Sequence, residues 1–174
     1  VNLAPLGTAS QHSNFSPYSE AWRAIDGSTD GNWSYTNDNS MSSTDGSFGG
    51  WWEVTFPYPV DVNEVVVWNR TDCCPHRLSN FRISLLRAGV EVYGEDYFVG
   101  HGPAIGNVPA GGSVSATPPQ LARIDRVRIE LIGGWNADTN GFLTLAEVEV
   151  FAPSIGQTYC SPAALNVDGL RATI

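Results

Sequence analysis

The feature that most restricts this chain is its punctuation. Eighteen glycines and 11 prolines, together 29 of 174 residues, are scattered so that no helical period survives three turns. Between these breakers lie short runs with a period of two. Trp52, Val54 and Phe56 alternate with Glu53 and Thr55, and Phe81, Ile83 and Leu85 with Arg82 and Ser84. Val127, Ile129 and Leu131 alternate with Arg128 and Glu130, and Val148 and Val150 with Glu147 and Glu149. Val65 to Trp68 is continuously apolar. A strand sends successive side chains to opposite faces, so such runs are strands with one buried face. Short, turn-bounded strands of this kind predict an all-β antiparallel sandwich. The best short helical candidate is Ser19 to Ile25, with Glu20 in its first turn.

Composition changes after Phe151. Residues 1–152 are read as one domain and 153–174 as a linker and tail, the start of a further module or a segment folded back on the sandwich. No stretch approaches the roughly 18 apolar residues of a membrane span. Val1 is followed at once by polar and turn residues, so a secreted parent would already have lost its leader. The net charge is -9, and all nine basic residues are arginine. This excludes the basic patch that nucleic acid or an anionic membrane would need. Arg123, Arg126 and Arg128 alternate with Ile124, Val127 and Ile129 and read as the wet face of one strand. Asp and Glu are too plentiful for their number to exclude a carboxylate pair for glycoside hydrolysis, but no Ser-His-Asp, P-loop or zinc signature appears, and the expectation is a binding domain rather than an enzyme.

One segment stands out. Arg70-Thr71-Asp72-Cys73-Cys74-Pro75-His76-Arg77 leaves the end of the strand ending at Trp68, where binding residues usually sit. Guanidinium groups are planar forks of donors that suit adjacent hydroxyls and the ring oxygen of a sugar. Asp72, between Arg70 and Arg77, is expected to orient one or both from behind. Adjacent Cys73 and Cys74 can close a small disulfide ring with a rigid apolar face; pairing of either with Cys160, or two free thiols, remains open. A bland reading of the same charges is a surface ion cluster in a loop.

The pattern Arg70-x-Asp72-x4-Arg77, with the cysteine pair inside it, resembles the signature of the F-type lectins, or fucolectins. The resemblance spans residues 2 to 151. It includes Asn2-Leu3-Ala4, Ala24-Ile25-Asp26-Gly27, Trp51-Trp52, Asn69-Arg70 and Glu147 to Val150. It implies a jelly-roll sandwich of the discoidin, galactose-binding-like type, one bound Ca2+, and recognition of α-L-fucose on fucosylated glycans. It implies a vicinal disulfide at Cys73 and Cys74, and pocket walls from Phe15 and Trp33; Tyr35 is a further candidate for the same wall. It implies calcium ligands at Asp26, Ser28, Ser40 and Glu147, with backbone carbonyls of Arg23 and Ala146. The tie would clamp an N-terminal loop to the last strand, where Met41 and Ala146 stand in place of a disulfide seen in many members.

The chain departs from the family at one point. The signature carries a histidine 27 positions before its first arginine, and that count from Arg70 reaches Ser43. Ser43 is therefore the expected partner of the arginines, with Asn37, Asp38 or Asn39 of a lengthened loop as substitutes. Three N-glycosylation sequons begin at Asn14, Asn32 and Asn69, the last inside the proposed site. A single shallow sugar site binds at roughly micromolar to millimolar strength, so avidity would come from a homo-oligomer or a multi-domain parent. The other readings are a non-catalytic module of a larger glycosidase or toxin with altered sugar preference, and a discoidin-like module for protein or lipid.

Overall fold

The structure, a computed structural model, describes residues 1–47, 49–100, 106–133 and 141–153. Cys160, His101 and all of the tail beyond Pro153 lie outside the described residues.

Ten strands form among the described residues: β1 (Thr8–Gln11), β2 (Ser42–Ser43), β3 (Trp51–Val62), β4 (Glu64–Trp68), β5 (Phe81–Arg87), β6 (Val90–Tyr97), β7 (Ser113–Ala116), β8 (Ala122–Leu131), β9 (Thr144–Leu145) and β10 (Glu147–Phe151). They build a five-stranded sheet, β1-β3-β8-β5-β6, a three-stranded sheet, β10-β4-β7, and the small pair β2-β9. Every pairing is antiparallel. The fold is thus the all-β sandwich that the alternating pattern predicts.

The alternation decides the core. Trp52, Val54, Ile83, Leu85, Val127 and Ile129 from the larger sheet meet Val65, Val67, Val148 and Val150 from the smaller one in a single buried cluster. Each fully buried aliphatic side chain contributes about 1.5–3 kcal/mol. The outer face of the larger sheet is wet. Glu53 accepts from Arg126 at 3.5 Å and Arg128 at 3.1 Å, and Arg128 lies over the Trp51 ring. The helical candidate is realised as a 3-10 turn, Ala21–Ile25, tied to the core where Trp52 Nε1 donates to the Ala21 carbonyl at 2.9 Å.

Two registers matter for function. Glu147 pairs with Trp68, so the start of β10 lies beside the end of β4. The segment that follows Trp68 and the carboxylate of Glu147 therefore arise at one end of the same sheet. Residues β2 and β9 pair Ser42 with Leu145 and Ser43 with Thr144, which brings the loop before β9 to the loops of the N-terminal third.

Candidate functional site

The segment after β4 is pinned from inside. Asn69 is fully buried, and its Nδ2 donates to the carbonyls of Pro75 at 3.0 Å and Val108 at 2.7 Å. Its Oδ1 accepts the Arg70 amide at 2.9 Å. The Asn69 sequon is therefore closed to a glycan in the folded chain, because its amide is consumed in the interior.

Arg70 is buried, and its Nε and Nη2 donate to the two oxygens of Asp72 at 2.7 and 2.8 Å. The same carboxylate accepts the amides of Cys73 at 2.8 Å and Trp33 at 3.2 Å. Burial pulls the Asp72 carboxyl upward, but the Arg70 bonds and charge, with the two amides, hold it below the usual value. Asp72 thus orients Arg70, as its sequence position suggests, and also fastens the Trp33 loop.

That loop docks by backbone on backbone. The Thr71 amide donates to the Gly31 carbonyl at 3.1 Å. A Cβ on Gly31 would lie 2.5 Å from Arg70 Cα and 2.8 Å from Thr71 N, with no flexible atom to give way. Gly31→Ala is expected to lower unfolding free energy by about 1–3 kcal/mol in a urea titration. An unchanged midpoint would show that the two loops are not in contact.

Between these loops lies a cavity of about 160 Å³ lined by Phe15, Trp33, Tyr35, Arg70, Cys73 and Arg77. Drug-sized sites run to roughly 300–1,000 Å³, so this one suits a single small ring. Phe15 meets Trp33 edge-on at 5.2 Å, and Trp33 meets Tyr35 at 5.4 Å. Arg77 is half-buried; burial and the charge of Arg70 push its guanidinium below the ordinary value, with Asp72 and Tyr35 acting the other way. Cys73 and Cys74 are joined as a disulfide. One wall thus offers donors to oxygen atoms, and the other offers aromatic faces to C–H groups. A larger groove of about 300 Å³ lies beside Val92, Tyr93 and Pro118, but its one cation, Arg123, pairs with Asp61.

Three expectations are corrected. Ser43 is 1% exposed, its Oγ donates to the Thr44 carbonyl at 3.2 Å, and it does not line the cavity. Its carbonyl accepts the Phe15 amide at 2.9 Å, so the residue is held by backbone bonding away from the cavity. Cys74 does not line the cavity: it sits at φ 53°, and only Cys73 reaches the wall. The lengthened loop supplies no substitute. Asn39 is buried and spans to the carbonyls of Tyr18 and Met41, and neither Asn37 nor Asp38 lines the cavity. The sequence reading missed Phe142, whose ring meets Phe15 at 5.4 Å and Arg77 at 4.4 Å. A lone aromatic residue in a loop, outside any alternating run, carries no pattern that would have marked it.

A second cluster of groups lies at the start of β10. Glu147 is 1% exposed; its Oε1 accepts the Gly27 amide at 3.1 Å, and its Oε2 is buried without a hydrogen bond. Burial, and the nearby charge of Asp26, push the Glu147 carboxyl up to about 8. Asp26 is raised too, by burial, against the Ser28 amide and the charge of Arg23. The remaining expected ligands are placed as follows. Ser28 Oγ accepts the Asp30 amide at 3.3 Å, and Ser40 Oγ donates to the Asn32 carbonyl at 3.1 Å. The side chain of Arg23 bonds Glu20 and the carbonyls of Asn37 and Asn39, and Ala146 is buried with Met41. Among the described residues no three of His, Cys, Asp and Glu group together. Two converging carboxylates, one with an orphaned oxygen, fit a hard cation that completes its shell with hydroxyls and carbonyls.

Comparison with known proteins places this geometry. The family model described as a NedA-like, galactose-binding domain matches residues 23–104. A fucose-binding module from Streptococcus pneumoniae superposes with a TM-score of 0.70 at 30% identity, over 87% of this chain and 94% of that one. The chain belongs to the discoidin-like F-type lectin family. The lectin domain of lectinolysin, solved with Lewis b antigen, is similar to it at TM-score 0.71 and 29% identity, covering 88% of this chain and 98% of that one. Fucolectin-3 of Anguilla japonica is 35% identical over 86 residues, 47% of this chain. The match spans 46% of that fucolectin, about half its length. The F-type lectin fold is thus shared over nearly the whole of the similar modules. Among the described residues, no helix is long and apolar enough to cross a membrane.

Proposed function

We propose that this domain is a non-catalytic lectin that binds a terminal α-L-fucose on fucosylated glycans. The observation that carries the reading is the joining of Arg70, Arg77 and Cys73 with Phe15, Trp33 and Tyr35 around one small cavity. The arginines donate to the ring oxygen and hydroxyls of the sugar. The aromatic wall and the disulfide take its apolar side and methyl group. Asp72 keeps Arg70 in position and leaves three of its N–H groups for the ligand. Ca2+ is held by Asp26 and Glu147 with Ser28, Ser40 and the carbonyls of Arg23 and Ala146; it neutralises the buried carboxylate and clamps the loop to β10. The domain acts outside the cell, within a larger protein or an oligomer that supplies avidity. Similarity to modules named for fucose or Lewis b binding supports the sugar class.

Calorimetry with methyl α-L-fucoside is expected to give one site, with a Kd of roughly micromolar to millimolar size. A glycan array is expected to show fucosylated hits. A domain that binds no fucoside at millimolar concentration, with an empty array, would instead be a discoidin-like module for protein or lipid.

A further inference from the structure

We infer that Phe142, in the loop before β9, is a positioning residue for recognition: its ring face holds the Arg77 guanidinium so that the donor edge meets the sugar. The inference rests on the reading of the cavity as a fucoside site.

The two arginines are held in different ways. Arg70 is locked by its fork to Asp72. For Arg77, no side-chain hydrogen bond or ion pair forms among the described residues; its guanidinium carbon lies 4.4 Å from the centre of the Phe142 ring. A carboxylate partner would consume two of the five N–H groups. A ring face holds the cation from one side and leaves the in-plane donors free for oxygen atoms. An arginine without such a contact has many rotamers to lose when a ligand binds.

Phe142 is itself fixed. Its ring meets Phe15 edge-on at 5.4 Å and 86°. On another side lies Gly46, where an added Cβ would stand 2.9, 3.1 and 3.3 Å from three ring atoms. Glycine there lets the ring lie against the backbone. Phe15 also lines the cavity, so the packing runs from Gly46 through Phe142 to both Arg77 and the aromatic wall.

The test compares wild type, Phe142→Leu, Phe142→Tyr and Gly46→Ala by calorimetry with methyl α-L-fucoside, and by NMR of the Arg77 Nε–H in the free protein. Phe142→Leu keeps apolar bulk but removes the π face. It is expected to weaken binding roughly fivefold to tenfold with little change in thermal midpoint, and to move the Arg77 Nε–H downfield as ring shielding is lost. Phe142→Tyr is expected to stay within about twofold of wild type. Gly46→Ala, which alters neither partner, is expected to weaken binding in the same direction. Binding by Phe142→Leu within twofold of wild type, or equal loss in Phe142→Tyr, would overturn the inference. So would an unmoved Arg77 resonance. A wild-type domain that ignores fucoside would sink the fucose reading instead, and the Arg77 resonance would still report on the contact.

Discussion

Arg70→Met is expected to abolish fucoside binding and to lower unfolding free energy by about 2–3 kcal/mol. The side chain is 4% exposed and donates twice to Asp72, which is 28% exposed. Removing one partner of a buried pair leaves the other charge uncompensated, typically at about 3–5 kcal/mol; the partial exposure of Asp72 reduces this. The damage spreads because Asp72 also accepts the Trp33 and Cys73 amides. Its carboxyl would lose the bonds and charge that keep its pKa low, and the anchor of the Trp33 loop would weaken with it. Arg70→Lys is not a rescue, since an ammonium cannot make the paired bonds of a planar fork. The double change Arg70→Met with Asp72→Asn removes the stranded charge. It should recover part of the stability and none of the binding. Urea titration and calorimetry on the three variants separate the two effects. Near-normal fucoside affinity in Arg70→Met would remove Arg70 from the site.

Chelation of calcium is expected to be the other large perturbation, and to depend on pH. In the ion-free fold the Glu147 carboxyl is pushed up to about 8, above its ordinary value of 4.5. A raised carboxyl means that the native state holds its proton longer than the unfolded chain does. The stability tied to that proton is fully present below about pH 4.5 and is lost as pH rises through about 8. The chelated domain should therefore melt at falling temperature between pH 5 and pH 8. With calcium present the buried carboxylate is compensated in its ionised form, so the midpoint should stay flat or rise over that range. At a free ion concentration about a thousandfold above Kd, binding contributes roughly 4 kcal/mol. For a domain of this size that is on the order of 8–16 °C in Tm. Calcium uptake near pH 7 should also release a proton, visible as a buffer-dependent binding enthalpy. Glu147→Gln should remove both the calcium effect and the pH slope. Melting curves that coincide with and without chelator across this range would rule out a structural ion.

The strands were legible because their signal is local. Period-two alternation in 51–56, 81–85, 127–131 and 147–150 already names the faces that the sandwich buries, since a strand cannot turn one residue without turning the next. The core of the segment after β4 was legible for a similar reason. Arg70, Asp72 and the cysteine pair sit so close in the chain that an Arg70–Asp72 fork and a Cys73–Cys74 bond are within reach before any folding is considered.

What lies between distant segments was not legible. Gly27 and Glu147 meet across 120 positions, and Trp33 meets Asp72 across 39. The count from Arg70 places Ser43 against the ligand. Its backbone in fact pairs with Thr144 and bonds Phe15, which turns the residue inward. Phe142 meets Arg77 and Phe15, both far from it in sequence, from a position just before the β2–β9 pairing. Gly31 looks like any turn glycine until the Arg70 backbone lies 2.5 Å from its missing Cβ. The sequence by itself determined which residues alternate and which polar groups neighbour one another, because both follow from covalent spacing. Only the tertiary structure decided which wall faces the arginines, because contacts between loops far apart in the chain depend on how the sheets bring their ends together.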